Sequence, residues 1–575
     1  MTLEKYKSVN YTLPKKNITW PLYGSGLDSL GKNGKPVEQK MPEFKPDELL
    51  IRHDAVGLCF TDVKEISFGN QHPRLMGRDL KNNPIVPGHE VSITVVGVGE
   101  KLKSSYNIGD RFVIQPDVWY QGKSIPYSFG MDGAYRQYGV IGKEVLDGDA
   151  GCYLIPIADD MSYAAAALTE PWACVEAAYT VTARTTFQKG GIVWFFGNEN
   201  ARHGFSLTKI LNKDQLPKKI YVSSIPLDLY QNLQALSKQY NIELITDEMS
   251  EIIKKEIDFS DIIGLDVDAD DVNMASEKLA KGGIFSILRK DPMTKPIEVD
   301  LGRIHYDNIF YTGTTGLDID EAYQATPIRS SLVPKGKTLI VGSGGPMGRM
   351  HLQRAMESSL GPSLIVGTDV EKERISNLRA YTKSMLDSSK AAIEIVDPVN
   401  EPVEYASLMS KITSEGGFDD IEIMVTNIEV IVRTMDLCAN KGVINLFAGL
   451  KRGTKASIDA YYVYGPKQLR LIGHSGSKLS DQITIVDNYN RGDIQPHRSM
   501  AAVCGMNQIA EGVQAMIDAA FPGKIVVYPM IENFPLTGLP ELINTHPEIY
   551  NKLEHGFLWT NDAENTFLET TLSDL

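Results

Sequence analysis

The sequence predicts an α/β protein: a compact β-barrel-like segment, then two doubly wound parallel sheets in tandem. Three observations predict it. Up to about residue 185, short alternating strands and turn signals dominate. Beyond it, short apolar runs alternate with helical stretches, the pattern of a parallel sheet. That second pattern occurs twice, in five matches in the same order, which marks an internal duplication. The length of 575 residues agrees, since it corresponds to about three or four domains.

Composition narrows the classes. A hydrophobic content of 42% and a charged content of 23% suit a large core that needs no staples. The net charge of -15 argues against a nucleic-acid backbone as partner. The five cysteines show no C-x-x-C spacing, so a structural four-thiolate zinc lobe is not expected. Such usage suits a reducing cytoplasm. The N-terminus lacks the apolar core of a signal peptide, and no stretch approaches the roughly 18 apolar residues of a membrane helix. The expectation is a cytoplasmic protein with no membrane partner.

In the first segment, strands are expected at 48–56, 91–99 and 109–114, and a helix over 164–178. Cys59 follows the first strand, His89-Glu90 precede the second, and Glu170 lies early in the helix. Zinc takes sulfur, imidazole nitrogen and carboxylate oxygen, and a catalytic zinc keeps one position open. Mixed ligands dispersed over the chain fit an open site better than a closed structural one. Cys174, one helical turn past Glu170, reads as core.

Gly57-x-Cys59-x-Thr61-Asp62, Gly88-His89-Glu90, Gly109-Asp110-Arg111, Gly133-Ala134-Tyr135 and Glu170-Pro171 fall in this order. The chain thereby resembles the medium-chain dehydrogenase/reductase family of zinc alcohol and polyol dehydrogenases. The resemblance implies a GroES-like catalytic domain followed by a Rossmann domain. It implies Cys59 and His89 as zinc ligands and Glu170 as a ligand, directly or through water. Glu90 becomes either a ligand in some states or a neighbouring support. Thr61 matches the hydroxyl that hands on the substrate proton, and Lys64 stands where many relatives have a relay histidine. Gln115-Pro116, Gly122, 126–130, 133–135 and the run from Trp559 to Glu564 resemble the L-sorbose-1-phosphate reductase branch. Tyr127, Ser128 and Tyr135 are read either as contacts for a polyhydroxylated substrate or as packing. Arg74, Arg78, Lys81 and Lys123 are loose phosphate candidates beside a reading as surface charge.

The two later copies differ where chemistry would be done. In the second, a strand runs into Gly342-Ser343-Gly344-Gly345-Pro346-Met347-Gly348 and then a helix. Glycines admit a pyrophosphate, and the helix N-terminus supplies N–H groups. The spacing is unusual, so either Gly342 or Ser343 takes the first glycine position. Asp369, at the end of the next strand, would bind ribose hydroxyls and favour NAD over NADP. Arg374 lies against the adenosine or is a solvated helix charge. The first copy has 197–204 in that place, with Glu199 for the middle glycines and Ser223-Ser224 for the acid. It reads as having lost the dinucleotide, with a structural or dimer-forming role, or with Arg202 and His203 as contacts for another anion.

The expected domains are 1–185 with 478–575 as a discontinuous catalytic domain, 186–330 as the degenerate copy, and 331–477 as the NAD-binding copy. The expected activity is zinc-dependent hydride transfer between NAD and a polyol, sugar or sugar phosphate, in a homodimer or homotetramer. The alternatives are an NAD-requiring sugar lyase or epimerase, a non-catalytic ligand-binding relative, and a zinc-free reductase, which the intact Cys59, His89 and Glu170 oppose. How the second copy reaches the zinc stays open: it holds the usual position with the first looped outside, or it serves a neighbouring subunit.

Overall fold

The computed structural model describes all residues except 199, 212, 325–327, 386–388, 475 and 573–575. The chain divides into two compact units. One comprises Met1–Glu176, Gly345–Met350 and Gly476–Leu575, the other Ala177–Gly344 and His351–Ser475.

The first unit opens with β1 (Leu49–Gly57), α1 (Phe60–Phe68), β2 (Glu90–Val98), β3 (Arg111–Ile114), β4 (Tyr138–Ile141) and β5 (Leu154–Pro156). β1 is buried along its whole length, because it pairs antiparallel with both β2 and β4. Its register sets Gly57 opposite Glu90, so the Cys59 loop and the His89 loop share one end of the sheet. The helix expected over 164–178 is two helices, α2 (Tyr163–Ala167) and α3 (Thr169–Ala178). Pro171 explains the break. It lacks the N–H that would reach Ala167, and its ring crowds that carbonyl.

The second unit holds two six-stranded parallel sheets. The first contains β6 (Ile192–Gly197), β7 (Lys219–Ser223), β8 (Glu243–Thr246), β9 (Phe259–Leu265) and β10 (Leu279–Leu288). A short strand β11 (Ile297–Asp300) and helix α4 (Leu301–Asp307) lead to its last strand, β12 (Phe310–Thr314). The second sheet contains β13 (Lys337–Val341), helix α5 (Pro346–Glu357), β14 (Leu364–Thr368), β15 (Ala392–Val396), β16 (Phe418–Ile423) and β17 (Cys438–Leu446). Then β18 (Lys455–Ile458) and helix α6 (Tyr461–Tyr464) lead to β19 (Arg470–Gly473). The spatial orders are β8-β7-β6-β9-β10-β12 and β15-β14-β13-β16-β17-β19, each the 3-2-1-4-5-6 order of the dinucleotide-binding fold.

The duplication reaches local detail. Both sheets have a register irregularity at the same place, between Phe259 and Asp261 and between Phe418 and Asp420. Those aspartates are buried, and each is paired with an arginine eight residues before its module's first strand: Asp261 with Arg184, Asp420 with Arg329. The modules part company after that strand. In the second, α5 follows the glycine loop. In the first, no helix lies between β6 and β7 among the described residues.

The chain then returns to the first unit with β20 (Met500–Gly505), β21 (Lys524–Tyr528), β22 (Thr537–Gly538) and a helix α7 (Asn561–Thr571). An amphipathic helix lies between β20 and β21, at Ile509–Ile517. β21 pairs with β1, completing the sheet β22-β20-β21-β1-β2-β3-β5 with β4 on β1.

Candidate metal centre and dinucleotide loop

Cys59 is the N-cap of α1, and its Sγ accepts the Thr61 N–H at 3.5 Å. Three residues on, Asp62 turns back and accepts the Cys59 N–H at 3.1 Å. This reciprocal cap holds the thiol at the mouth of the helix. His89 follows Gly88, whose φ of +97° favours glycine and whose added Cβ would lie 2.5 Å from Tyr135 Cδ1. Gly57 is required for a different reason: its Cβ would meet Glu90 Oε2 at 2.1 Å. The small residues of the two motifs therefore clear the space in which the thiol, imidazole and carboxylate meet. The ligand atoms of Cys59, His89 and Glu90 all lie within 4.8 Å of one another.

The surrounding groups explain the electrostatics. His89 Nδ1 donates to Asp62 Oδ1 at 2.8 Å, which leaves Nε2 with the other role. Tyr135 donates to the second Asp62 oxygen at 3.0 Å. Burial opposes a charged imidazole at His89, yet Asp62 and Cys59 together hold its pKa well above the usual value. Glu90 Oε1 accepts from Lys524 Nζ at 2.6 Å, in a pair with almost no solvent exposure. Lys524 is itself buried, which opposes its charge, but Glu90, Cys59 and Glu170 raise its pKa. The other oxygen, Glu90 Oε2, is buried with no hydrogen-bond partner among the described residues. An orphaned buried carboxylate oxygen beside a thiol and an imidazole fits a divalent cation.

Glu170 stands apart from that trio but belongs to its field. Burial first, with the charge on Glu90 adding and His89 opposing, lifts its pKa to about 7. Cys174, expected in the core, is only half-buried, and its thiol donates to Glu170 Oε1 at 3.7 Å. One turn of α3 puts it beside Glu170, not behind it. Thr61 is half-buried next to Cys59, whereas Lys64 points outward, 5.7 Å from the Phe60 ring centroid.

Other candidates are spoken for. Tyr127 donates to His53 Nε2 at 2.7 Å, and Ser128 to Glu65 Oε2 at 3.3 Å. With Tyr135 on Asp62, all three hydroxyls are buried in protein networks, so the packing reading holds. Arg78 donates to the carbonyls of Asn83 and Pro84, and Arg74 pairs with Asp117 at 3.0 Å. Lys81 and Lys123 are exposed.

Sequence reasoning gave no role to Lys524, Asp62 or Glu564. Glu564 is buried. It accepts the N–H groups of Tyr163 and Ala164 at 2.6 and 2.8 Å and the Tyr528 hydroxyl at 2.7 Å. It thus caps α2, which leads into the helix of Glu170, and ties it to the strand of Lys524. The sequence signals were the place of Asp62 in the Cys59 motif, a lone lysine opening an apolar strand, and an acid that closes the Trp559–Glu564 run.

In the second unit, Gly342 has φ +81°, and its N–H and that of Ser343 both donate to Thr368 O. The Gly344 N–H donates to Asp369 Oδ2 at 2.9 Å, while Oδ1 accepts from Val370 and Glu371. Three of the roughly four acceptor sites of this carboxylate are thereby filled by backbone, leaving one. A Cβ on Gly344 would lie 2.6 Å from Arg374 Cβ and 2.7 Å from Asp369 Oδ2. Gly345 and Pro346 lead into α5, with Met347 half-buried and Gly348 buried in its first turn. The loop has the backbone economy and the following helix that a dinucleotide phosphate needs.

The first module's equivalent is closed on itself. Arg202 gives its N–H and Nε to Asp266 Oδ2, both at 2.8 Å, and Nη1 to Thr315 O. His203 is exposed, 3.3 Å from Asp228. Both cations expected to meet an anion already face carboxylates of the protein. Glu199 lies outside the described residues.

Residues 45–148 match the alcohol dehydrogenase GroES-like domain. Over 544 residues, 92% of this chain and 93% of the relative, the chain is 22% identical to a mannitol-1-phosphate 5-dehydrogenase of Aliivibrio fischeri. It is 29% identical over 232 residues to an L-sorbose 1-phosphate reductase of Klebsiella pneumoniae, covering 40% of this chain and 54% of that protein. An alcohol dehydrogenase structure from Thermotoga maritima shares the fold, with a TM-score of 0.50 and 12% identity over 89% of this chain and 99% of its own. With two dinucleotide-type sheets and a GroES-like domain, the chain is similar to the medium-chain dehydrogenase/reductases, with relatives that include an L-sorbose 1-phosphate reductase.

Proposed function

We propose that this protein is a zinc-dependent dehydrogenase that moves a hydride between NAD and a hydroxyl-bearing carbon of a polyol or sugar phosphate. The observation that carries this reading is the cluster of Cys59, His89 and Glu90, whose ligand atoms lie within 4.8 Å of one another while Glu90 keeps one buried oxygen unpaired. Cys59, His89 and Glu90 would hold the metal, with Glu170 as the alternative carboxylate. When bound, zinc supplies a Lewis acid that makes an alcohol easier to deprotonate.

The chain's own residues do the rest. Asp62 keeps the His89 proton on Nδ1, so that Nε2 stays a lone-pair donor. Lys524 gives the buried Glu90 carboxylate a partner charge, with its Nζ 2.6 Å from Oε1. Thr61 Oγ1 would take the substrate's hydroxyl proton while its own proton passes on to solvent, and Lys64, exposed one turn further along α1, stands at the solvent end. The backbone of 342–348 would take the pyrophosphate, and the remaining acceptor site of Asp369 would take a ribose hydroxyl, which disfavours a 2′-phosphate. Arg374 flanks that position. The phosphorylated polyol class rests on the mannitol- and sorbose-phosphate relatives. We further read the chain as a catalytic domain from 1–185 and 478–575, with inserted modules at 186–330 and 331–477.

Metal analysis of the purified protein, with an NADH absorbance screen over hexitols and their 1-phosphates, tests this. The expected result is one zinc per chain and NADH formation with a phosphorylated polyol that stops on chelation. Metal-free protein that still turns over, or no NADH with any polyol, overturns the reading.

A further inference from the structure

The two modules of the second unit touch each other in matched pairs. Asp300 caps α4 through the Arg303 N–H, and Asp459 accepts the Tyr461 N–H of α6. Two residues before each aspartate stand Glu298 and Ser457, and these pair with each other in the antiparallel ribbon of β11 and β18. On either side, Ile297 pairs with Ile458, and Val299 with Ala456. Glu298 meets its own counterpart, while Ile297 and Val299 each meet the counterpart of the other, as across a two-fold axis.

The contacts beyond the ribbon repeat this reciprocity. Gly313 of β12 and Gly473 of β19 are equivalent positions. A Cβ on Gly313 would lie 2.6 Å from Tyr464 Cβ in α6, and a Cβ on Gly473 would lie 2.4 Å from His305 Cα in α4. Each module's last strand is therefore approached by the other module's short helix at a glycine that leaves room for it. Residue i meeting j while the counterpart of j meets that of i is the signature of an isologous contact.

We propose that the first module is a built-in partner for the second, so that one chain contains the interface two identical modules would make with each other. Its present role is to cover β19, α6 and β18 of the second module. A homo-oligomer, expected from the sequence, would then use other faces. One pair shows that the interface has since become specific for the unlike module. Phe310 and Arg470 open β12 and β19 at equivalent positions, and the Arg470 Cζ sits 4.2 Å from the Phe310 ring centroid. Arg470 is 2% exposed, and its Nε and Nη2 have no hydrogen-bond partner among the described residues. The aromatic face is its compensation. Two like modules would set arginine on arginine or phenylalanine on phenylalanine.

A swap tests the proposal. Phe310→Arg places two buried guanidiniums together and should lower the melting temperature of the full chain by about 6 °C, more than 1 kcal/mol in a unit of this size. Arg470→Phe should stay within about 2 °C of the parent. The double variant Phe310→Arg with Arg470→Phe should recover most of the loss. By the two-fold, the moved arginine would feel the like charge of Arg329 as Arg470 now feels that of Arg184. If Phe310→Arg alone yields no folded protein, folding of the double variant decides in favour. A double variant as damaged as the single, or a harmless Phe310→Arg, overturns the proposal. Hydrogen exchange gives an independent reading. Amides of β11 and β18 should be protected to the same degree, and free exchange in one strand while the other stays protected overturns it too.

Discussion

The two modules of the second unit are the same sheet carrying different tops. Strand order, the bulge in the fourth strand in sequence and the buried Arg–Asp pair are common to both. After the first strand, the second module has a tight glycine turn and a helix. The first has an irregular connection whose donors are satisfied internally: Asp320 alone accepts the N–H groups of Thr208, Lys209 and Ile210. The difference teaches that the sheet and the ligand loop are separable. Alternating apolar strands maintain the first in both copies, while a few glycines and one helix start decide the second. The interiors differ as well. Glu422 and Asn445 form a buried hydrogen-bonded pair at 2.8 Å, and their counterparts in the first module are Ile263 and Ser286.

The largest expected effect separates the metal residues from both modules. Cys59→Ala should lower kcat/KM about a thousandfold or more, the several kcal/mol of a lost Lewis acid, with NAD affinity unchanged by equilibrium titration. A parallel loss of NAD affinity would break that separation. Next, Gly344→Val should weaken NAD by about a hundredfold, or 2.8 kcal/mol, because its Cβ has no room beside Asp369 and Arg374. Asp369→Ala should weaken NAD about tenfold while Ser223→Ala in the first module does nothing. Equal effects of the two would reverse the assignment of the working copy.

The fourth test is pH. Burial, with Asp420 adding, raises the Glu422 carboxyl to about 8. A raised acid contributes stability that is complete below its unfolded value near 4.5 and is lost as pH climbs through about 8. Thermal melts should therefore show Glu422→Gln gaining on the parent across that window, on the order of a few kcal/mol. A constant difference across pH would mean that Glu422 ionises normally. The smallest effect belongs to the first module. Arg202→Ala should lower the melting temperature by about 2–4 °C and leave NAD affinity alone.

Much of the architecture was legible, because strand periodicity and repeat order are local properties. The five matches at 192–197, 219–222, 259–263, 281–285 and 309–313 all fall on equivalent strands of the two sheets. The glycines at 57 and 88 were visible as members of the motifs, but the side chains that need their missing Cβ atoms, Glu90 and Tyr135, were not. What escaped was non-local. Lys524 is 434 residues from Glu90, and nothing near either predicts their pairing. The missing helix of the first module escaped for another reason: loss of glycines shows that a loop has changed, not that the following helix has gone.

That separation of 434 residues has a consequence for how the protein is made. At about 5–20 residues per second, a ribosome reaches Lys524 roughly twenty to ninety seconds after Glu90 has emerged. Glu564 arrives later still. During that interval the nascent barrel has its thiol, imidazole and carboxylate but no ammonium to neutralise the acid. The cluster of Cys59, His89 and Glu90 therefore gains its Lys524 partner only after both modules have been translated.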